Sequence, residues 1–150
     1  MIYIQAIYGD HIPDLAAACM QSVADIAGEN YKLIRFDACD NPAAMSDYHR
    51  ITLLQDYPGA VWIDWDIELH KPLPETGSYA DYRMRKAHGA IMRCDTPEVV
   101  QMLLDDAERR GIVPGVRAMA AKLLRERTDV FAEIDETYYT HHYLTMRGSK

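Results

Sequence analysis

A hydrophobic strand that ends in two carboxylates dominates this sequence. Residues 59–73 read GAVWIDWDIELHKPL, where an apolar run leads into Asp64 and Asp66 and is followed by a turn with lysine and proline. In an extended chain alternate side chains share a face, so we expect both aspartates to point one way and Trp65 to point away. Two hard oxygen ligands at the end of a buried strand can hold a divalent cation, and the cation can hold a diphosphate. This segment therefore indicates chemistry on a phosphorylated donor.

Length and charge narrow the classes of partner. The chain has 150 residues, which predicts one domain, residues 1–150, with one hydrophobic core. Its net charge of −7 argues against a nucleic-acid or anionic-membrane surface, because either would need a basic patch. Arg83, Arg85 and Lys86 form one small basic cluster, which is either a solvated loop or an attractor for a diphosphate or an anionic acceptor.

The N-terminus and the cysteines predict the compartment. Residues 1–8 lack the basic stretch and the long apolar core of a signal peptide. No apolar run approaches the roughly 20 residues that span a bilayer. Cys19, Cys39 and Cys94 are odd in number and lack metal-ligand spacing, which favours idle thiols in a reducing compartment. We therefore expect a cytoplasmic chain without a transmembrane segment.

Strand-like and helix-like patterns alternate along the chain. They predict strands at 2–8, 31–36 and 88–92 and helices at 13–28, 41–57, 96–111 and 114–127, besides the acidic strand. The order βαβαβ followed by mixed elements predicts an α/β fold with a mixed, mainly parallel sheet flanked by helices. In such sheets ligands bind at the carboxyl ends of the strands, where Asp64 and Asp66 lie.

A second charged pair lies on the helix before the acidic strand. Asp47 and Arg50 are three residues apart and therefore share a helix face. The carboxylate could accept hydrogen bonds from a sugar hydroxyl while the guanidinium reaches a phosphate or a ring oxygen. The simpler alternative is a surface ion pair, which helix spacing alone favours.

Taken in order, these residues resemble the core of the DXD-containing sugar-binding glycosyltransferases. The matching pattern is Ser46-Asp47-x-x-Arg50, a leucine-rich helix, Tyr57-Pro58-Gly59, Trp62-Ile63-Asp64-Trp65-Asp66 and Lys71-Pro72-Leu73. That group includes the yeast initiating α-1,6-mannosyltransferase, bacterial capsule transferases and, more distantly, the clostridial glucosylating toxins. Residues 46–73 carry the specific part of the resemblance.

The resemblance implies a small GT-A-like nucleotide-sugar fold and a role for each residue of the motif. Asp64 and Asp66 would hold Mn²⁺ or Mg²⁺, with Asp64 also near the ribose of the donor. Asp47 and Arg50 would contact the donor sugar and its phosphate. Tyr8 would lie beside the nucleotide base. Asp47, Arg50, Asp64 and Asp66 would together form the catalytic set.

The resemblance also implies that a histidine of the C-terminal tail completes the metal site. His141 and His142 are the candidates, and adjacent residues of an extended segment face opposite ways, so one of them at most can reach the cation. We favour His142, because it is nearer to the Gly148-Ser149 pair that resembles the closing motif of the family.

The function implied by the resemblance is metal-dependent transfer of a hexose from a nucleotide-diphosphate sugar to a glycan, lipid-linked or protein acceptor. A UDP-sugar is favoured, a GDP-sugar is possible, and retention of the anomeric configuration is expected. Two alternatives stay open. The short chain could be a non-catalytic sugar-nucleotide binding module. The Asp-x-Asp pair could also belong to a haloacid dehalogenase-type phosphatase, although Glu68 stands where that class carries Thr or Val.

Overall fold

The computed structural model describes residues 1–112 and 124–142. Its strands are β1 (Tyr3–Tyr8), β2 (Tyr31–Phe36), β3 (Val61–Ile63), β4 (Ile67–Leu69), β5 (Tyr79–Arg83), β6 (Lys86–Arg93), β7 (Ala132–Glu133) and β8 (Tyr139–His141). Its helices are α1 (Asp14–Ala27), α2 (Pro42–Asp56) and α3 (Pro97–Arg109), with a 3₁₀ turn at Gly28–Asn30. None of the helices in this part of the chain has the length and apolar character that crossing a membrane requires.

The main sheet has six strands in the order β2-β1-β3-β6-β5-β7. Strand β1 is parallel to both β2 and β3, and β5 is parallel to β7, whereas β6 is antiparallel to both of its neighbours. The predicted mixed, mainly parallel α/β fold is thus confirmed. Strands β4 and β8 form a separate antiparallel pair. The carboxyl ends of β1, β2 and β3 meet at one edge, and this edge carries the candidate site.

The two faces of the sheet are covered by different elements. Ile4 and Trp62 pack with buried residues of α2 and α3, whereas Tyr3 and Ile63 pack with α1 and β4. This division follows from the alternation of side chains along a strand. The short β4–β8 pair is thereby held against α1, directly after the acidic turn.

Local chemistry explains why α1 and α2 begin and end where the sequence predicted. The side chain of Asn41 accepts a hydrogen bond from Ala44 N at 3.2 Å, and Pro42 occupies the first helical position of α2. Helix α1 follows Pro13 and ends at Gly28, whose φ of 57° is open to glycine at little cost. Strand β2 has the predicted bounds.

The hairpin of β5 and β6 escaped the sequence reading. A short strand was expected at 88–92, yet β6 runs from Lys86 to Arg93 and pairs with β5, a strand that was not predicted. The two-residue turn between them consists of Met84 and Arg85, with φ of 52° and 66°. Such turns usually carry Asn and Gly, so the usual hairpin signal is missing here. A helix was also predicted at 114–127. Most of that range lies outside the described residues, which exclude 113–123.

Candidate active site

The backbone of Asp64 is fixed from three sides at the end of β3. Its N–H donates to Ala90 O of β6 at 2.7 Å, and its carbonyl oxygen accepts from Gln5 Nε2 at 3.2 Å and from Ile67 N at 3.2 Å. The last of these bonds closes a turn over residues 64–67. The expectation that Trp65 points away from the two aspartates was therefore wrong. It rested on an extended chain, whereas residues 64–67 form a turn, and Trp65 contributes to the wall of the same cavity as Asp64 and Asp66.

The side chain of Asp64 is held by two donors. Its Oδ1 accepts from Trp62 Nε1 at 2.6 Å and from Arg50 Nη2 at 3.0 Å. Arg50 Nη1 in turn donates to Asp47 Oδ1 at 2.7 Å. Arg50 and Asp47 are only 5% and 9% exposed, so this is a buried charge network and not the surface ion pair that helix spacing alone favoured. The network joins α2 to the end of β3.

The charges of this network do not balance. Burial raises the pKa of Asp64, an effect that Arg50 opposes and Asp66 reinforces. Burial also raises the pKa of Asp47, against the influence of Arg50. Burial by itself would lower the pKa of Arg50, but Asp64 and Asp47 outweigh it and raise that pKa, so the guanidinium stays charged. One guanidinium thus faces several carboxylates, and the surplus of negative charge favours a cation.

The second aspartate meets a tail histidine that the sequence ranked lower. His141 Nε2 lies 3.2 Å from Asp66 Oδ2, whereas His142 turns its Nε2 to Glu68 Oε1 at 2.9 Å. The preference for His142 is therefore corrected to His141 as the imidazole beside Asp66. The backbone N–H of His142 donates to Asp66 O at 2.9 Å, so the tail is also joined to the acidic turn through its backbone.

The residues at this turn fit a divalent cation. Asp66 Oδ1 is buried and has no hydrogen-bond partner within the described ranges, which is costly for a carboxylate oxygen without a ligand. Two carboxylates and one imidazole suit Mn²⁺, and the carboxylates alone suit Mg²⁺. In residues 1–112 and 124–142 no three His, Cys, Asp or Glu side chains converge as a ready-made metal site. Phosphate oxygens of a donor and water would have to supply the remaining ligands.

A cavity of about 430 Å³ opens in front of the acidic turn, a size within the usual range for small-molecule sites. Its walls come from the end of β1, the start of α2 and the turn after β3: Ala6, Ile7, Tyr8, Asp40, Asn41, Pro42, Ala43, Ser46, Trp62, Asp64, Trp65 and Asp66. Asp47 and Arg50 are absent from this wall, although a sugar contact was expected of them. They lie behind Asp64 and position it. A second hollow, beside α3, is remote from these carboxylates.

An aromatic stack supports one wall of the cavity. The rings of Tyr8 and Phe36 are 5.3 Å apart, and those of Phe36 and His49 are 3.8 Å apart and nearly parallel. Burial raises the pKa of the Tyr8 hydroxyl and lowers the pKa of His49. The Tyr8 hydroxyl and Nδ1 of His49 share a hydrogen bond of 2.8 Å. Tyr8 lines the cavity, and its place beside a nucleotide base stays a prediction, whereas sequence reasoning missed the contacts of His49.

Asp81 is a further residue that sequence reasoning missed. It is 1% exposed and lies where the register between β5 and β6 shifts. Its Oδ1 accepts from Gly89 N at 2.8 Å and from Ile91 N at 3.0 Å, in place of bonds that the shift removes from the ladder. Asp81 thus fixes β6 on both sides of Ala90, whose carbonyl oxygen holds Asp64. Because β5 was not predicted, no sequence signal placed Asp81 near the site.

Comparison with known proteins gives likeness in structure without likeness in sequence. No family model matches the sequence, and no curated protein matches it. The apo form of the glycosyltransferase GlyE of Streptococcus pneumoniae TIGR4 superposes with a TM-score of 0.52 at 12% identity, over 90% of this chain and 45% of that chain. A glycosyltransferase involved in the glycosylation of the major capsid of PBCV-1 superposes with a TM-score of 0.50 at 12% identity, over 88% and 79%.

The chain shares the fold of these two glycosyltransferases. At this level of identity the likeness concerns the fold alone. The chain also spans less than half the length of the GlyE structure. Activity and substrates must therefore be argued from the side chains of the site.

Proposed function

We propose that this chain is a metal-dependent glycosyltransferase that moves a hexose from a nucleotide-diphosphate sugar to an acceptor. The observation that carries the proposal is the pair of carboxylates at the cavity. Asp64 is held by Trp62 and Arg50, whereas one oxygen of Asp66 is buried and has no partner in residues 1–112 and 124–142. The fold shared with two glycosyltransferases supports this reading.

Asp64, Asp66 and His141 would hold Mn²⁺ or Mg²⁺. When bound, the ion acts as a Lewis acid that neutralises charge on the departing diphosphate. An imidazole next to oxygen ligands tilts the selectivity of such a site from Mg²⁺ toward Mn²⁺. The haloacid dehalogenase-type alternative is less favoured, because Glu68 stands where that class carries Thr or Val and because the fold is shared with two glycosyltransferases.

The protein side chains would orient the donor. With Oδ1 of Asp64 engaged by Trp62 and Arg50, its second oxygen is directed to a ligand such as a ribose hydroxyl or the cation. Tyr8 offers a ring, backed by Phe36, against which a base can lie. Pre-organisation of this kind lowers the entropic cost of bringing the diphosphate to the acidic turn.

The donor we favour is a UDP-hexose, with a GDP-sugar as the second choice. The acceptor is a glycan, a lipid-linked sugar or a protein. Retention of the anomeric configuration is part of the proposal, and no carboxylate is assigned as a nucleophile.

The proposal is tested by incubating the purified chain with UDP-, GDP- and CDP-sugars in Mn²⁺, in Mg²⁺ and in a chelator. We expect metal-dependent release of the nucleotide from one donor class. Metal-dependent binding without turnover would favour the non-catalytic binding module. Turnover of a generic phosphate ester, with none of the nucleotide sugars consumed, would favour the phosphatase. When Asp66→Asn is assayed in the same way, Asp56→Asn at the exposed end of α2 is its matched control, because it removes a carboxylate far from the cavity.

A further inference from the structure

A hairpin turn overhangs the edge of the sheet that carries the two aspartates. Strand β3 ends at Ile63, which pairs with Ile91 in the middle of β6. Because β6 is antiparallel to β3, its first half extends past the carboxyl end of β3. The turn at Met84–Arg85 therefore projects beyond this end, on the side of the Asp64–Asp66 turn.

The hairpin tip, residues 83–86, is basic in an acidic protein. Its sequence is RMRK, three cations and no acid, whereas the whole chain carries a net charge of −7. Arg85 and Lys86 are exposed. The acids near the hairpin lie before its tip: Asp81 is buried and accepts two backbone N–H groups, Glu133 pairs with Ala80, and Asp129 lies near Tyr82. The net charge of the whole chain argued against an anionic partner, but it does not describe this local concentration of positive charge.

The tip also exposes a large apolar side chain. Met84 is 95% exposed, whereas the other exposed large hydrophobic residue in the described ranges, Ile2, is 37% exposed. Met84 and Arg85 both adopt positive φ, a conformation in which a side chain is strained and Asn or Gly is preferred. Folding alone does not explain this choice of residues, and strain of this kind concentrates at sites of function.

We propose that the hairpin tip docks on an anionic phospholipid surface. Met84 would enter the boundary between headgroups and acyl chains, and Arg85 and Lys86 would contact lipid phosphates, the combination by which peripheral proteins bind membranes. Docking in this way turns the carboxyl edge of the sheet toward the membrane, so that an acceptor carried by the lipid surface can reach the cavity. The inference goes beyond the proposed function, since lipid binding is measured without any donor or turnover.

Sedimentation with vesicles tests the proposal. The probes are vesicles of phosphatidylcholine alone and vesicles of equal parts phosphatidylcholine and phosphatidylglycerol, at low and high salt. We expect binding to the anionic vesicles that weakens as salt rises, because the contacts of exposed cations are screened. Arg85→Gln with Lys86→Gln should weaken binding by about twenty-five-fold, since each cation near the surface contributes about fivefold. The matched control is Lys32→Gln with Arg35→Gln, which removes two cations from β2. Strands β1 and β3 separate β2 from β6, so this variant should leave binding unchanged.

A second variant separates docking from folding. Met84→Asn with Arg85→Gly supplies the residues that the turn prefers, so the thermal midpoint should rise while binding to anionic vesicles falls. Equal binding to neutral and anionic vesicles would overturn the proposal, and so would unchanged binding in the Arg85 and Lys86 double variant. Loss of vesicle binding on addition of millimolar glycerol phosphate, at constant ionic strength, would overturn it too, because the tip would then recognise a soluble phosphate.

Discussion

The guanidinium of Arg50 donates to Oδ1 of Asp64 across 3.0 Å and ties α2 to the end of β3. The same guanidinium donates to Asp47, so one buried cation holds two carboxylates. Asp64 is thereby fixed in position before any ligand arrives, while Asp66 Oδ1 is buried and has no hydrogen-bond partner among the residues that the structure describes.

Removing the cation of this network should cost much stability. Arg50→Met leaves Asp47 and Asp64 without their buried counter-charge, and we expect the free energy of unfolding in urea to fall by about 3–5 kcal/mol. Arg110→Met is the control, because its ion pair with Glu126 is largely exposed and should contribute less than about 1 kcal/mol. Similar small losses in both variants would mean that Arg50 does not carry the network.

Asp81 should act on the site through the backbone of β6. Asp81→Ala leaves the N–H groups of Gly89 and Ile91 buried without an acceptor, at a cost of about 1–3 kcal/mol for each group. Because Ala90 O holds Asp64 N, nucleotide-sugar affinity should fall as well. Urea unfolding and calorimetry measure the two effects. Asp105→Ala on the exposed side of α3 is the control, and normal stability in Asp81→Ala would refute this role.

The two tail histidines should behave differently. His141 lies beside Asp66, so His141→Ala should reduce the ratio of Mn²⁺ to Mg²⁺ affinity. His142 pairs with Glu68 instead, and His142→Ala should leave this ratio unchanged. Metal titrations of the two variants, each with the donor nucleotide present, check the assignment. A ratio altered by His142→Ala alone would restore the choice made from the sequence.

The outline of the fold could be predicted from the sequence where local chemistry decides structure. Helix α2 follows from Asn41 and Pro42, and strand β2 follows from a mainly apolar segment that begins with Tyr31 and ends with Phe36. The two aspartates of the motif were also expected at the carboxyl end of their strand, and they follow the end of β3. These features depend on residues that are close in sequence or that lie at one strand end. They can therefore be recognised from the sequence alone.

Other parts of the site depend on pairings between distant segments and could not be predicted. The choice between His141 and His142 depends on the register of β8 against β4, which no local pattern records. The role of Asp81 depends on the pairing of β5 with β6, which no pattern in the sequence indicated. The turn at Asp64 broke the alternation expected of an extended chain, because Ile67 N bonds back to Asp64 O.

His49 should make the protein less stable in mild acid. Burial lowers its pKa below the ordinary 6.5, so the unfolded chain takes up the proton more readily than the folded one. The stability associated with neutral His49 is therefore full above about pH 6.5 and is lost as the pH falls below it. His49→Phe keeps a ring against Phe36 and should remove this pH dependence. Thermal midpoints of both proteins across this range test it, with His11→Phe as the control, and parallel curves would contradict the assignment.

The central claim is that Asp66 binds the cation that holds a nucleotide sugar, and calorimetry tests it most directly. UDP and a UDP-hexose are titrated into the wild-type chain and into Asp66→Asn, each with and without Mn²⁺. We predict metal-dependent binding by the wild type, a loss of at least about a hundredfold in Asp66→Asn, and no loss of stability in the variant without metal. Metal-dependent affinity that is equal in the two proteins would contradict the account.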